Sequence, residues 1–193
     1  MNQFFAMMAR MKYIERWALM RNARQETISE HSMEVSMLAH ALAVIGNRKL
    51  GKNYNAEKAA LIGLYHDANE IITGDMPTPV KYFSKDIRAA YGEVEKASGE
   101  RLLSMLPKDL QEEYRPLIAH DESLLEWRIV KAADKLCAYV KCLEEKKSGN
   151  KEFDKAGKSV KKSIEKIDLP EVQDFMIQFV PGFSLTLDEI SEE

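Results

Sequence analysis

The feature that most constrains this chain is a spacing of three and four residues between apolar positions, which recurs along most of its length. It is clearest in residues 29–45, "SEHSMEVSMLAHALAVI". Such a spacing places side chains on one face of an α-helix. Thr27, followed three residues later by Glu30, predicts a capping box at the start of that helix. The face consists of His31, Val35, Leu38, Leu42 and Ile45.

The same spacing predicts helices along the rest of the chain. Asn55 is a possible N-cap of the second helix, which we expect to end before Gly74, Pro77 and Pro79. The polar segment 73–81, "TGDMPTPVK", is therefore predicted to be a loop. No segment shows the alternation of a β-strand, so the predicted fold class is all-α, a compact single-domain helical bundle. The further helices are expected over about 55–72, 87–105, 108–116 and 124–146, with another in the lysine-rich segment 146–167.

Charge and cysteine content exclude several classes of protein. A net charge of −3 and a pI near 5.9 provide no large positive field for a nucleic-acid polymer or an anionic membrane surface. Cys137 and Cys142 lie on one predicted helix in a poor arrangement for a disulfide, so we expect reduced thiols and a cytoplasmic location. We expect neither a signal peptide nor a membrane anchor, since no stretch approaches the roughly 20 apolar residues of a membrane span.

Four ionisable side chains interrupt the predicted helices: His31, His66, Asp67 and Asp134. Taken singly, each histidine is explained by a hydrogen bond within the core, and Asp134 by an ion pair with Lys131 or Lys135. Taken together, two imidazoles and two carboxylates from three helices form a donor set suited to Mn²⁺, Co²⁺, Mg²⁺, Fe²⁺ or Zn²⁺. Glu70 follows His66 by one helical turn and is expected to reach the same site.

The order of these residues, H…HD…D, resembles the signature of the HD-domain superfamily of metal-dependent phosphohydrolases, which are all-helical. Longer stretches are similar to the bacterial HD-domain 5′-deoxynucleotidases of the YfbR type along nearly the whole chain. Asn69 is a conservative departure, at a position where a small polar residue such as serine is expected. The resemblance implies a single HD domain over 1–193, with its metal-binding core at about 27–145. The similar stretches are "RWALMRN", "SEHSMEVSMLAHALA", "LYHDANEIITGDMPTPVKYF", "KAADKLCAYVKCLEE" and "FVPGFSLTLDEIS".

The resemblance implies hydrolysis of 2′-deoxyribonucleoside 5′-monophosphates to nucleoside and phosphate by a metal-activated water, and it implies a homodimer. The cation, Co²⁺, Mn²⁺ or a similar ion, would be held by His31, His66, Asp67 and Asp134. Glu70 and Asp75 would act in catalysis with Arg16, and which carboxylate serves as acid or base stays open. Substrate contacts are expected from Arg16, Trp17, His31, Asp75, Thr78, Pro79, Val80 and Lys81.

Alternatives exist for several of these residues and for the function. Arg16 would orient the phosphate and Trp17 would exclude a 2′-hydroxyl, but without the resemblance they are explained as a surface charge and a core anchor. His40 and His120 are expected to be structural or at the surface. Two other functions stay open: another HD phosphohydrolase acting on a different nucleotide, or a non-catalytic helical module with a structural metal.

Overall fold

The fold is all-α, as predicted, throughout residues 1–81 and 83–191, which the computed structural model describes. Positions 192 and 193 of the predicted domain lie outside the described residues. The helices of this part are α1 (Phe4–Met8), α2 (Ile28–Leu50), α3 (Ala56–Tyr65), α4 (Glu70–Thr73), α5 (Thr78–Lys81), α6 (Lys85–Leu103), α7 (Lys108–Ile118), α8 (Leu125–Lys147), α9 (Asp154–Ile164), α10 (Pro170–Gln178) and α11 (Leu187–Ser191). Short 3₁₀ turns occupy Ala9–Tyr13, Lys151–Phe153 and Val180–Ser184.

The predicted capping box is present at the start of α2. The backbone N–H of Glu30 donates to the Thr27 hydroxyl over 3.3 Å, and the Glu30 carboxylate accepts the N–H of Thr27 over 2.8 Å. Asn55 caps α3 in the same manner, since its side-chain oxygen accepts the N–H of Lys58 over 2.9 Å. These bonds satisfy backbone N–H groups that have no partner within the helix.

Helices α2 and α8 form the centre of the molecule. Helix α2 packs against α3, α8 and α10, and α8 also packs against α9. One face of α8 is apolar and buried, with Trp127, Val130 and Cys137 each at most 3% exposed. A second apolar cluster lies where α1, α6 and α7 meet, and it includes Phe4, Ala68, Leu102, Leu103, Leu106 and Ile118.

Gly63 allows α3 to lie directly on α2. A Cβ atom added at Gly63 would lie 2.9 Å from the Cα atom of Ser36, closer than packed carbon atoms approach. Nearby, the Ser36 hydroxyl donates to the carbonyl oxygen of Ala60 over 2.8 Å. This close contact brings His66, at the end of α3, toward His31 on α2.

The helix predicted over 55–72 is wrong in its second half. Helix α3 ends at Tyr65, residues 66–69 form turns, and α4 occupies only Glu70–Thr73. The N–H groups of Ala68 and Glu70 donate to carbonyl oxygens three residues back, over 2.9 and 3.0 Å. This tighter winding ends the α-helix before His66 and Asp67, the two predicted metal ligands of the segment.

The structure around two prolines differs from the prediction. The loop predicted over 73–81 contains the short helix α5, because Pro79 lies in a first turn, where a missing N–H costs nothing. Helix α7 continues past Pro116 to Ile118 rather than ending near it.

Both cysteines are free, as predicted. No helix among the described residues combines the length and apolar content needed to cross a bilayer.

Candidate active site

Side chains from α2, from the turn after α3 and from α8 converge at one point. The Nε2 atom of His31 lies 3.0 Å from Oδ1 of Asp134 and 3.6 Å from Oδ2 of Asp67. The Nε2 atom of His66 lies 3.2 Å from the same Asp67 oxygen. Ligand atoms of His31, His66 and Asp134 all lie within 4.8 Å of one another, which is close enough to share one metal ion.

The turn after α3 presents His66 in a defined orientation. Its Nδ1 atom lies 2.7 Å from the carbonyl oxygen of Gly63, so Nδ1 carries the proton and donates it. The Nε2 atom therefore keeps its lone pair for the site. Ala68, in the same turn, is fully buried in the second apolar cluster and anchors the turn from the other side.

The charges of the cluster stabilise one another despite burial. Burial alone would raise the pKa of Asp67, but His66 and Arg16 outweigh it and hold that pKa far below its ordinary value. Burial also opposes ionisation of Asp134, whereas its hydrogen bond with His31 lowers the pKa. Both carboxylates are consequently ionised at neutral pH, as ligands of a cation must be.

The residues present fit a divalent cation. Imidazole nitrogens combined with carboxylate oxygens suit borderline and hard divalent ions. The Nε2 atom of His66 is buried and has no hydrogen-bond partner among the described residues. A buried polar atom without a partner costs free energy, which a bound cation would recover.

Arg16 lies beside this cluster, on the segment that precedes α2. Its Nη1 atom lies 3.3 Å from Oδ2 of Asp67, and its Nε atom lies 3.4 Å from Oε1 of Glu26. Burial alone would lower the pKa of Arg16, but Asp67 and Asp134 raise it, so the guanidinium stays charged. Glu26 was not predicted, because it lies outside every periodic segment and only the folded chain brings it to the site.

Trp17 adopts a left-handed backbone conformation, with φ of 56°, which is rare for a bulky side chain. Its backbone N–H donates to Oδ2 of Asp75 over 3.1 Å. The indole packs against Phe153, with ring centroids 5.3 Å apart. Asp75 therefore ties the segment between α4 and α5 to the Arg16–Trp17 pair.

Glu70 lies at the first position of α4 and faces the same site. Its Oε2 atom is buried and has no hydrogen-bond partner within the described part of the chain. Burial and the nearby Asp67 carboxylate raise the pKa of Glu70 well above its ordinary value. Glu70 is thus placed where it can exchange a proton with a group bound in the site.

A cavity of about 560 Å³ opens from the cluster. His31 is fully buried behind the other cluster residues, and Trp17, Pro79 and Val80 do not belong to the described lining. Pro79 and Val80 are exposed on α5. The predicted site residues that do line the cavity are Arg16, His66, Asp67, Glu70, Asp75, Thr78, Lys81 and Asp134.

His120 also lines this cavity and has a structural contact with the site. Its Nε2 atom donates to the carbonyl oxygen of His66 over 2.7 Å. The ring stacks on Trp127 with a centroid distance of 4.7 Å, and the backbone φ is 49°. These contacts fix His120 beside the turn that carries His66, a position that depends on tertiary contacts that no local pattern indicates.

Helical architecture and this histidine–aspartate cluster together define the class of protein. The structure matches an HD-domain phosphohydrolase of Listeria innocua with a TM-score of 0.82 and 24% identity, over 99% of this chain and 92% of that chain. It also matches a cyanophage S-2L HD phosphohydrolase, solved with dA and one catalytic Zn²⁺ ion, with a TM-score of 0.64 and 20% identity, over 94% and 96% of the two chains. The fold is that of the HD-domain phosphohydrolases.

Sequence relationships narrow the class. Residues 3–183 match the family described as 5′-deoxynucleotidase YfbR-like. A 5′-deoxynucleotidase of Photorhabdus laumondii is 52% identical over 192 residues, which cover 99% of this chain and 98% of that protein. The chain therefore belongs to the YfbR-like 5′-deoxynucleotidase family, as its motifs predicted.

Proposed function

We propose that this protein is a divalent-metal-dependent 5′-deoxynucleotidase. It hydrolyses 2′-deoxyribonucleoside 5′-monophosphates to deoxynucleosides and inorganic phosphate. The observation that carries this proposal is the convergence of His31, His66, Asp67 and Asp134 next to Arg16 and Glu70 in one cavity. Membership of the YfbR-like family supports the same activity.

The four clustered side chains would hold the ion. When bound, a divalent cation supplies positive charge against the phosphate dianion and makes a water molecule more acidic. We expect Co²⁺ and Mn²⁺ to support activity, since both accept mixed nitrogen and oxygen ligands. The ligand set assigned here is His31, His66, Asp67 and Asp134.

Arg16 binds and orients the phosphate in this proposal. Its planar guanidinium carries five N–H donors, and the contacts with Asp67 and Glu26 leave others to face the phosphate oxygens. Those two contacts also hold the guanidinium in one orientation. A fixed donor geometry favours in-line presentation of the phosphorus to the attacking water.

Glu70 and Asp75 handle proton transfer and the position of the sugar. Glu70 borders the reacting centre and is assigned to moving a proton at a reacting oxygen, to or from water or the leaving 5′-oxygen. Asp75 holds the backbone of Trp17 and lines the same cavity, so it is assigned to the sugar side. Trp17 lies outside the described lining, and its assignment as the wall against a 2′-hydroxyl rests on the family resemblance and on its backbone link to Asp75.

The segment containing α5 closes the nucleotide side of the cavity. Lys81 forms a 2.8 Å ion pair with Glu95 on α6 and lies over the ring of Tyr91, with its Nζ atom 4.9 Å from the ring centroid. These contacts hold α5 against α6. Thr78 and Lys81 line the cavity and are assigned to substrate contact. Pro79 and Val80 lie outside the described lining and His31 is buried behind the other cluster residues, so their assignment to the substrate rests on the family resemblance alone.

The whole chain is proposed to act as one HD domain, with its metal-binding core over about 27–145, and to form a homodimer. Exposed apolar side chains on neighbouring helices, Met33 and Met37 on α2 and Leu61 and Leu64 on α3, support such an interface. Two free, buried thiols support a cytoplasmic location. Sedimentation of wild type and of Met37→Glu tests the dimer, because a buried charge would dissociate it.

One assay tests the activity. Phosphate release is measured for a panel of ribo- and deoxyribonucleoside 5′-phosphates, after chelation and after adding back Co²⁺, Mn²⁺, Mg²⁺ or Zn²⁺. We expect release from deoxyribonucleoside monophosphates that depends on added metal. A preference for another nucleotide would instead identify a different HD phosphohydrolase, and metal binding without release from any substrate would identify a non-catalytic module.

A further inference from the structure

Glu26 is a buried carboxylate outside the predicted ligand set, and it contacts two of the functional side chains at once. It is 6% exposed. Its Oε1 atom lies 3.4 Å from the Nδ1 atom of His31 and 3.4 Å from the Nε atom of Arg16. One carboxylate oxygen therefore lies between a proposed metal ligand and the proposed phosphate anchor.

The contact orients the His31 imidazole. With Nδ1 toward Glu26, the opposite atom Nε2 faces Asp134 and Asp67, where the metal ligands converge. A negative charge beside Nδ1 favours a proton on that nitrogen. A bound cation would then replace the Nε2 proton that Asp134 accepts in the absence of an ion, and Nε2 would ligate through its lone pair. The same negative charge also makes the imidazole a stronger electron donor toward a cation.

The backbone around Glu26 holds Arg16 as well. The carbonyl oxygen of Glu26 accepts the N–H of Arg16 over 2.9 Å, and the N–H of Ile28 donates to the carbonyl oxygen of Ile14 over 2.9 Å. An isolated antiparallel bridge joins Glu15 to Thr27 at the same place. The segment that carries Arg16 is thus fastened to the residues immediately before α2, the helix that carries His31.

We propose that Glu26 is a positioning residue that couples the metal site to the phosphate site. It holds the imidazole of His31 and the guanidinium of Arg16 in one relative geometry, through a single carboxylate oxygen. Burying a carboxylate is costly, and these two ion-pair contacts offset part of that cost. The proposal rests on the proposed function, because it takes the roles of His31 and Arg16 from there.

The two contacts are ion pairs at 3.4 Å rather than hydrogen bonds, and two substitutions separate the charge of Glu26 from its packing. Glu26→Gln keeps the shape and an acceptor oxygen but removes the charge, whereas Glu26→Met keeps the approximate volume and removes the acceptor. Glu171→Gln is the matched control, because Glu171 is a buried glutamate as well but accepts a hydrogen bond from Tyr54, over 2.7 Å, away from the site. Thermal denaturation of each variant establishes that the protein measured is folded.

The readout is binding rather than turnover. Affinity for Mn²⁺ is measured by calorimetry on metal-free protein, and affinity for inorganic phosphate is measured with Mn²⁺ present. We expect about 10- to 100-fold weaker Mn²⁺ binding for Glu26→Met, a smaller loss for Glu26→Gln, and wild-type binding for Glu171→Gln. A role in packing alone predicts that folded Glu26→Met binds Mn²⁺ like wild type, and that result would overturn the proposal.

A double-mutant cycle tests the coupling to Arg16. If Glu26 acts on phosphate through Arg16, Glu26→Met weakens phosphate binding much less in an Arg16→Lys background than in wild type, while its effect on Mn²⁺ persists. Equal, additive losses of phosphate binding would overturn the coupling. Wild-type protein that binds no divalent ion would overturn the proposed function itself, whereas wild-type binding with unchanged Glu26 variants overturns only the role of Glu26.

Discussion

The Nε2 atom of His31 lies 3.0 Å from Oδ1 of Asp134, although the two residues are 103 positions apart in the sequence. Helices α2 and α8, which pack against each other at the centre of the molecule, bring them together. The pair therefore joins the two largest helices at the proposed metal site. The two side chains thus hydrogen-bond to each other in the absence of a metal ion.

Metal content should depend on this pair. We expect Asp134→Ala to lose most bound divalent ion, because it removes a ligand and leaves His31 without its acceptor. Metal analysis of protein equilibrated with equimolar Mn²⁺ measures the effect, with Asp174→Ala as a control, since Asp174 pairs with Lys49 at an exposed site. Full occupancy in Asp134→Ala would remove Asp134 from the ligand set.

Glu70 should affect turnover more than binding. Glu70→Gln is expected to retain Mn²⁺ and nucleotide binding and to lose roughly 10²–10⁴-fold in kcat, which is the usual contribution of proton transfer. Stopped assays with dAMP give kcat, and calorimetry gives the two affinities. Glu100→Gln, which lines the same cavity but pairs with Arg115 rather than with a proposed substrate contact, controls for loss of negative charge. Near-normal turnover would exclude Glu70 from the mechanism.

Trp17 should determine sugar selectivity. A pocket without a steric wall rejects an extra hydroxyl only weakly, so we expect wild type to prefer dAMP over AMP and Trp17→Ala to narrow that preference. The measurement is the ratio of kcat/KM for the two substrates. Phe153→Leu weakens the packing against the indole while keeping Trp17 in place, so this variant controls for an effect of lowered stability. An unchanged ratio in a folded Trp17→Ala protein would contradict the wall.

Gly63 should limit how closely α3 approaches α2. Gly63→Ala forces a Cβ atom against the backbone of Ser36, and such overpacking costs about 1–3 kcal/mol, against roughly 1 kcal/mol gained in helix propensity. We expect a lower melting temperature and weaker Mn²⁺ binding, since His66 is carried on α3. Gly92→Ala is the control, because its added Cβ meets nothing within 4 Å and should stabilise α6.

Glu145 should contribute stability that is lost in acid. Its carboxylate accepts hydrogen bonds from the Ala23 N–H and the Asn150 amide, over 2.8 and 2.7 Å, and it pairs with Lys141 over 2.5 Å. Burial opposes ionisation, but these contacts outweigh it and lower the pKa of Glu145 from 4.5 to about 2.

Because the pKa of Glu145 is lowered by folding, its contribution to stability is lost as the pH falls. Above pH 4.5 the carboxylate is ionised in both folded and unfolded chains and its contribution is complete, and this contribution falls as the pH decreases from 4.5 toward 2. We expect Glu145→Gln to lower the melting temperature at pH 7 and to reduce its difference from wild type near pH 3. Glu113→Gln, at an exposed position, should show no such pH-dependent difference. An equal difference at both pH values would contradict this assignment.

Local sequence determined the helical class, the approximate bounds of α6, α7 and α8, and the caps of α2 and α3. The Thr27–Glu30 capping box and the Asn55 cap depend on residues three positions apart, and the apolar faces depend on helical periodicity. Both are properties of near neighbours, which the sequence shows directly. The family motifs also named the side chains that the structure brings together, including His66 and Asp67.

Only the tertiary structure decided how those side chains meet. Helix α3 ends before His66, and the turn that follows buries Ala68 in the cluster formed by α1, α6 and α7, a contact with distant segments that the local helical pattern does not show. Glu26 and His120 likewise lie beside the site through contacts with residues distant in the sequence. Their partners come from other elements, and the free energy that places a buried carboxylate or a stacked imidazole depends on packing and charge pairing, which single-sequence periodicity does not encode.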